Sequence, residues 1–224
     1  MSVKIFFFAF ALSLLLQGAR IWQLPAMIDT TLWAGQAMYV EANDKPLFYI
    51  LTANAHPGGT VVEGTILTHA VLGGSYKTSL KIFLVLAASI VVGCISVLCY
   101  RLRESHAWWI LAVLTLSISP LYDNATPLSA LEAVLAVLLF LLTWYLYEEK
   151  GSAHTRTLAT WATIAGITVS TRADIGTVLV VSFTLFLLIS RTVQLTTMLW
   201  VTLLALITFI VTDPYLWLLG LEHV

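Results

Sequence analysis

The chain has 224 residues, of which 59% are hydrophobic and 10% are charged. Soluble domains carry about 25% charged residues, so water is not the main solvent of this chain. Its formal net charge is −1 and it contains no run rich in Lys and Arg, which argues against nucleic acid as a partner.

The apolar residues come in long runs without the alternation that is typical of strands. Inside hydrocarbon every backbone N–H and C=O must be hydrogen-bonded within its own segment, so such runs predict helices. We therefore expect an all-α polytopic membrane protein with about seven transmembrane helices. The predicted spans are 3–19, 78–100, 107–119, 125–147, 157–171, 175–190 and 195–212.

Three of these spans, 107–119, 157–171 and 175–190, are shorter than the roughly 20 residues of a full crossing. Irregular or short segments are tolerated at membrane depth where they adjoin protein or water instead of lipid. The short spans therefore predict a water-filled cavity beside them.

Segment 20–77 is interpreted as the first outer loop. Aromatic residues are scattered among polar ones up to residue 59, the pattern of helices that lie in the membrane interface. The following stretch, 60–74, is apolar but contains Glu63 and His69. It predicts a re-entrant or interfacial helix rather than a further crossing.

Basic residues concentrate in short cytoplasmic loops, and this bias predicts the orientation. With seven spans and a cytoplasmic N-terminus, most basic residues fall inside, whereas acidic residues gather on the outer side. The residues predicted to be inside are Lys4, Arg101, Arg103, Lys150, Arg156 and Arg191.

The common signatures of phosphate loops, dinucleotide-binding turns, zinc proteases and serine hydrolases are absent from the sequence. What remains is a set of ionisable residues near the outer ends of the predicted helices. Such groups are costly beside a bilayer, so each is a candidate functional residue. They are Asp29, His56, Glu63, Asp123, Glu132, Arg172, Asp174 and Asp213.

Arg172 lies between two short spans, where no loop is long enough to carry it into bulk water. It is expected either to pair locally with Asp174 or Asp123, or to bind a phosphate through its planar guanidinium. Glu132, one turn into its span, is expected to pair with a neighbour or to point into a cavity.

Three other candidates have simple structural explanations. Asp29 is a favoured type of residue for capping the helix that follows it. Asp213 precedes Pro214 and is expected at the end of the last span. His56 precedes Pro57 and is expected, with equal weight, to be a turn residue or a functional residue.

The order of these motifs along the chain resembles that of the membrane GT-C class of glycosyltransferases, in particular the protein-mannosyltransferase and aminoarabinose-transferase-like families. Members of these families often carry adjacent Asp and Glu in the first outer loop, whereas here Asp29 is followed by Thr30. The matching motifs are Asp29, His56-Pro57-Gly58, Ser119-Pro120-Leu121, Glu132, Thr171-Arg172-Ala173-Asp174, and Asp213-Pro214-Tyr215-Leu216-Trp217 with His223 beyond.

The resemblance implies that residues 1–224 form a single transmembrane module, equivalent to the N-terminal seven helices of the family. It implies transfer of a sugar from a polyprenyl-phosphate carrier in the bilayer to an acceptor hydroxyl of a protein, lipid or glycan, with inversion, on the non-cytoplasmic face. Asp29 would be the base and Arg172 would bind the donor phosphate. The resemblance implies no required cofactor, and the question of a divalent cation near Asp29 is left open.

The sugar or acceptor pocket is expected to draw on the remaining polar candidates. These are Lys45, His56, Glu63, Asp123, Glu132, Asp174 and Asp213. Two other functions compete with transfer. In a non-catalytic subunit that binds lipid or scaffolds a partner, the outer acidic residues would pair among themselves and leave no solvent-accessible cavity. A secondary transporter would place its ionisable residues near the bilayer midplane.

Overall fold

The computed structural model describes residues 2–21, 28–42, 59–118, 127–149 and 155–212. All regular structure in these ranges is α-helical, which confirms the all-α prediction for this part of the chain. In chain order the helices are α1 (Ser2–Ile21), α2 (Ile28–Ala42), α3 (Gly59–Leu72), α4 (Tyr76–Arg103), α5 (His106–Ile118), α6 (Pro127–Glu148), α7 (Thr155–Thr171), α8 (Ala173–Ile189) and α9 (Leu195–Thr212).

Four of the described helices, α1, α4, α6 and α9, contain stretches that are long and apolar enough to cross a membrane. Three others, α3, α5 and α8, are apolar but shorter. Each predicted span overlaps one helix, and the remaining two described helices, α2 and α3, lie in the segment interpreted as the outer loop. The chain therefore has the construction of a helical membrane protein with four full-length candidate spans in its described residues.

The outer surfaces of α8 and α9 are apolar. On α9, Leu199 is 63% exposed and Trp200 is 72% exposed, and on α8 the exposed fraction of Ile189 reaches 81%. Soluble proteins rarely leave contiguous apolar surfaces of this kind open to water. These faces are consistent with contact with lipid.

Two helices organise the packing. The first part of the chain surrounds α4, which packs against α1, α2, α3, α5 and α6. The second part surrounds α7, which packs against α3, α6, α8 and α9. The contacts of α4 with α6 and of α3 with α7 join the two parts.

Glycines allow the closest helix approaches. A Cβ atom at Gly166 of α7 would lie 2.5 Å from the carbonyl oxygen of Ala205 and 2.7 Å from Cβ of Thr208, both on α9. At Gly93 of α4 it would lie 2.9 Å from the ring of Phe6 on α1. Small residues at such contacts let helix backbones approach closely in membranes.

Buried hydroxyl groups form hydrogen bonds between helices. The Trp161 indole N–H on α7 donates to the Thr143 hydroxyl on α6 over 2.9 Å. On the other side of the bundle, the Ser117 hydroxyl on α5 donates to the Ser13 hydroxyl on α1, also over 2.9 Å. The Ser13 oxygen also accepts the side-chain amide of Gln17.

The helices define two ends of the bundle. Arg101 near the end of α4, Tyr145 near the end of α6 and Arg156 at the start of α7 line one cavity, so these helix ends meet. We call this the basic end. At the opposite end of the same helices, α7 stops and α8 starts around Arg172, close to Glu132 near the start of α6. We call this the Arg172 end.

Helices α2 and α3 are connected to the Arg172 end. Thr60, at the start of α3, lies within 3.0 Å of the Ser170 hydroxyl of α7. The ring of His69, near the end of α3, stacks on Tyr76 at the start of α4, with 4.1 Å between centroids. The Tyr76 hydroxyl donates to Glu41 at the end of α2. The start of α3 thus lies beside the end of α7, and its end lies beside the start of α4.

The turn between α3 and α4 requires glycine. Gly73 and Gly74 have φ angles of +67° and +88°, which side chains with a Cβ atom rarely adopt. Ser75 then caps α4, because its hydroxyl oxygen accepts the backbone N–H of Thr78. This turn reverses the chain within three residues and holds the end of α3 beside the start of α4.

Candidate functional site

Arg172 is the single residue between α7 and α8. Its backbone is extended, with φ −154° and ψ 104°, as is usual for the residue that precedes a helix. Its N–H donates to the Thr168 carbonyl of α7, and its own carbonyl accepts the N–H of Gly176 of α8. Both helices therefore fix the position of the Arg172 backbone.

Close approach at this turn depends on Gly176. A Cβ atom there would lie 2.6 Å from the Thr168 carbonyl oxygen. Since a larger residue would push α8 away from α7, glycine lets the two helices reverse direction around Arg172. The turn places the Arg172 side chain at the end of the bundle.

The Arg172 side chain forms an ion pair with Glu132. The distance from Nη1 of Arg172 to Oε2 of Glu132 is 3.3 Å, and the side chains are 33% and 17% exposed, respectively. The structure pairs Arg172 with a carboxylate 40 residues earlier in the chain. The local pairing with Asp174 or Asp123 that the sequence suggested is not tested, because Asp123 and the Asp174 side chain lie outside the described part of the structure. Glu132 was expected to pair with a neighbour or to point into a cavity, and it does both.

A cavity of about 230 Å³ adjoins this ion pair, between α6, α7 and α8. Glu132 and Arg172 are the charged residues among its described lining. The other walls are mainly apolar and come from Ala133, Leu135, Ala136, Thr168, Ile175, Gly176 and Leu179. The site therefore combines a guanidinium paired with a carboxylate and a mainly hydrocarbon surface.

Neighbouring hydroxyl groups tie the cavity end of α7 to two other helices. Ser170, two residues before Arg172, donates its hydroxyl to the Thr212 carbonyl of α9 over 3.0 Å. The same hydroxyl lies 3.0 Å from that of Thr60 on α3. The last turn of α7 is thereby fixed to α3 and α9, which limits the movement of the Arg172 backbone.

Glu63 lies on α3, about one turn beyond Thr60. Its side chain is partly buried, and it is not among the residues that line the Arg172 cavity. Its predicted place in a substrate pocket therefore stays a prediction.

The other sequence candidates are described in part or not at all. Asp29 lies in the first turn of α2 and Asp174 in the first turn of α8, but their side chains fall outside the described part of the structure. Lys45, His56, Asp123 and Asp213 lie outside the described residues altogether. The roles predicted for these six residues remain predictions.

Within the described ranges, no group of three or more His, Cys, Asp or Glu side chains is placed to hold a metal ion. The Asp29 side chain is not among those described. The divalent cation left open beside Asp29 is therefore untested.

The apolar cavity walls were not found from the sequence. Leu135, Ile175 and Leu179 look like ordinary lipid-facing residues of predicted spans, because an apolar side chain carries no mark that separates a cavity from lipid. Gly176 was not singled out from the sequence either, and its close approach to Thr168 is seen only in the structure.

Comparisons of the chain with protein-family models, with curated proteins and with solved structures give no match.

Proposed function

We propose that this chain is an inverting membrane glycosyltransferase that moves a sugar from a polyprenyl-phosphate carrier to an acceptor hydroxyl. The observation that carries the proposal is the cavity at the Arg172 end, where a partly exposed guanidinium, held on one side by Glu132, adjoins apolar walls. A polyprenyl phosphate has this same combination of an anion and a hydrocarbon chain. The resemblance of the motif order to GT-C enzymes supports the same function.

In the proposed reaction Arg172 binds the donor phosphate through charge-assisted hydrogen bonds. Glu132 holds one edge of the guanidinium at 3.3 Å and so orients the rest of the fork. The apolar side chains of Leu135 and Leu179 contact the first isoprene units of the carrier. Arg172 stabilises the negative charge that grows on the phosphate as the sugar departs.

Asp29 is the proposed general base. The acceptor oxygen forms a bond to the anomeric carbon as the bond from that carbon to the phosphate oxygen breaks, and the acceptor proton passes to the Asp29 carboxylate. Polyprenyl phosphate is the leaving group, and attack from the opposite face inverts the anomeric centre. The reaction balances without a nucleotide.

Helix packing supports a role for α2 beside the Arg172 end. Asp29 belongs to α2, which packs against α3 and α4, and α3 in turn contacts Ser170, two residues from Arg172. The end of α2 is also tied to Tyr76 at the start of α4. These contacts support convergence of Asp29 and Arg172 on one face of the membrane.

We also propose seven crossings, with a cytoplasmic N-terminus and the active site on the outer face. The contact of Thr60 with Ser170 ties the start of α3 to the Arg172 end, which supports an interfacial or re-entrant position for that helix. The opposite end carries Arg101 and Arg156, as expected of a cytoplasmic face.

The direct test is transfer of labelled mannose from polyprenyl-phosphate mannose in membranes that contain the chain. We expect label in an acceptor with the wild-type chain. Asp29→Asn and Arg172→Ala should each lower the rate about 100-fold or more, because one removes the base and the other the phosphate ligand.

Arg103→Ala is the matched control, since it removes an exposed guanidinium at the end of α4, remote from the proposed site. It should transfer at the wild-type rate. Wild-type rates in both Asp29→Asn and Arg172→Ala would refute the assignment of these residues. A panel of other polyprenyl-phosphate sugars extends the test if mannose is not the donor.

The second candidate is a non-catalytic subunit that binds lipid or scaffolds a partner. The pairing of Arg172 with Glu132 favours it, because paired charges satisfy each other without a substrate. This candidate predicts that the chain transfers no sugar from any donor of the panel.

A further inference from the structure

A second cavity, of about 340 Å³, opens at the basic end of the bundle between α1, α4, α6 and α7. It lies at the opposite end of α6 and α7 from the Arg172 cavity. Arg156 and Arg172 are separated by most of the length of α7, about 24 Å at 1.5 Å per residue. The two cavities are therefore distinct sites.

The wall of this second cavity changes from polar to apolar with depth. Arg101 and Arg156 are exposed at its mouth, whereas Leu138 and Leu142 are buried and only 3% and 5% exposed. Leu138 lies two helical turns from Tyr145 at the mouth, so the apolar part extends about 10 Å inward. A free anion would contact only the guanidinium groups at the mouth, whereas an anionic lipid would also contact the apolar inner wall.

The charge at the mouth is positive. Two guanidinium groups line the cavity, and no carboxylate is among the described lining residues. Tyr145, also in the lining, interacts through its hydroxyl with Arg101 and with Glu149 at the end of α6. Glu149 therefore offsets part of the positive charge of the two guanidinium groups. The remaining positive charge suits the negative charge of a phosphodiester.

We propose that this cavity binds an anionic phospholipid from the leaflet at the basic end. The headgroup phosphate lies between Arg101 and Arg156, and one acyl chain runs inward along Leu138 and Leu142. Cytoplasmic leaflets are rich in anionic lipids, in agreement with the orientation expected for this end. The bound lipid fills the space between α1, α4, α6 and α7 and joins the two parts of the bundle. This proposal does not depend on sugar transfer.

The test measures lipid binding to the purified full-length chain by native mass spectrometry. Phosphatidylglycerol and phosphatidylcholine with identical acyl chains are compared, and inorganic phosphate is added as a competitor. We expect the wild-type chain to bind phosphatidylglycerol about tenfold more tightly, because only its headgroup has net negative charge. Millimolar inorganic phosphate should not displace it, since the acyl chain contributes to binding.

The variant Arg101→Gln/Arg156→Gln should bind the two lipids equally. Its matched control is Arg103→Gln/Arg191→Gln, which removes two exposed positive charges that do not line this cavity and should keep the wild-type preference. Equal loss in both double variants would show diffuse attraction and overturn the proposal. Displacement by inorganic phosphate would overturn it in favour of a free-anion site, and equal binding of both lipids by the wild type would overturn it outright.

If the first double variant does not fold, Val97→Trp provides a second test, because Val97 is a partly buried residue of the cavity wall. The larger side chain narrows the cavity and leaves both guanidinium groups in place. Affinity for phosphatidylglycerol should fall about tenfold through lost apolar contact. Unchanged affinity would contradict occupation of the cavity by an acyl chain.

Discussion

Arg172 is held at two points. The turn between α7 and α8 fixes its backbone through bonds with Thr168 and Gly176, and Glu132 holds its guanidinium. A residue fixed in this way loses little conformational freedom when it binds an anion. Such pre-organisation lowers the entropic cost for a residue that binds a phosphate.

The ion pair should contribute measurably but modestly to stability. In a double-mutant cycle with Arg172→Gln and Glu132→Gln, we expect a coupling energy of about 1 kcal/mol, because the guanidinium is one third exposed and partly screened. The free energy of unfolding, measured by steric trapping in bicelles, gives this coupling. A coupling of zero would mean that the two groups do not stabilise each other.

The hydroxyl of Thr143 should contribute more to the free energy of unfolding than that of an exposed threonine. Thr143 is 3% exposed and accepts the indole N–H of Trp161, whereas Thr163 is exposed and bonds only to its own helix. Thr143→Val should lower the free energy of unfolding by about 1–3 kcal/mol, because the buried indole loses its acceptor. Thr163→Val is the control and should change it by less than about 0.5 kcal/mol. Equal effects in the two variants would exclude a special role for the Thr143 bond.

At the level of single residues, the sequence predicts that Arg172 needs compensation but does not identify the residue that provides it. Arg172 stands out because a guanidinium between short apolar spans needs compensation. Its partner Glu132 was not identified from the sequence, since the pairing joins positions 40 residues apart. That choice depends on how α6 packs beside α7, which no local pattern encodes.

The packing of α7 on α9 depends on small residues. Ala162, Gly166 and Ser170 recur at every fourth position of α7 and are all buried. A Cβ atom at Gly166 would meet the α9 backbone at 2.5 Å. Gly166→Ala should therefore lower the free energy of unfolding by about 1–3 kcal/mol, because the two helices must separate.

Gly18→Ala is the control for this change. A Cβ atom there would have no neighbour within 4 Å, and Gly18 lies in a regular part of α1. Alanine has a higher helix propensity than glycine, so Gly18→Ala should stabilise the protein by up to about 1 kcal/mol. Thermal unfolding in detergent measures both variants, and a stabilising effect of Gly166→Ala would contradict the close contact of α7 with α9.

Helix positions follow the apolar runs, but helix ends do not. The run 78–100 predicted the membrane part of α4, whereas the helix itself covers Tyr76–Arg103. Apolar composition marks the hydrocarbon, but a helix continues until its caps. Here the caps are Ser75 and Glu104, the latter with a left-handed backbone.

The whole molecule has two chemically different ends, and the proposed topology predicts which side each end faces. Ser75 at the start of α4 and Glu104 at its end lie at opposite ends of a helix about 42 Å long. Ser75→Cys and Glu104→Cys, each made without Cys94 and Cys99, allow labelling with an impermeant maleimide in sealed right-side-out vesicles. We expect labelling of Ser75→Cys alone, and labelling of Glu104→Cys alone would reverse the topology.

The number of membrane crossings is a property of the whole molecule. It is harder to predict from the sequence than the all-α fold class. Long apolar runs such as those of α4 and α9 predict their spans by themselves. The shorter helices α5 and α8 can complete a crossing only with polar ends or with neighbouring protein. For α3 the hydrogen bond between Thr60 and Ser170 supplies positional information that hydropathy lacks.

The central claim is that the Arg172 cavity recognises the phosphate of a polyprenyl-linked sugar. It is tested most directly by the affinity of the purified chain, in nanodiscs, for polyprenyl-phosphate mannose and for the neutral polyprenol of the same length. We predict that the wild-type chain binds the phosphate compound about tenfold or more tightly than the polyprenol, and that Arg172→Ala abolishes most of this difference while Arg103→Ala retains it. Equal affinity of the wild-type chain for the two compounds, or an unchanged preference in Arg172→Ala, would contradict the claim.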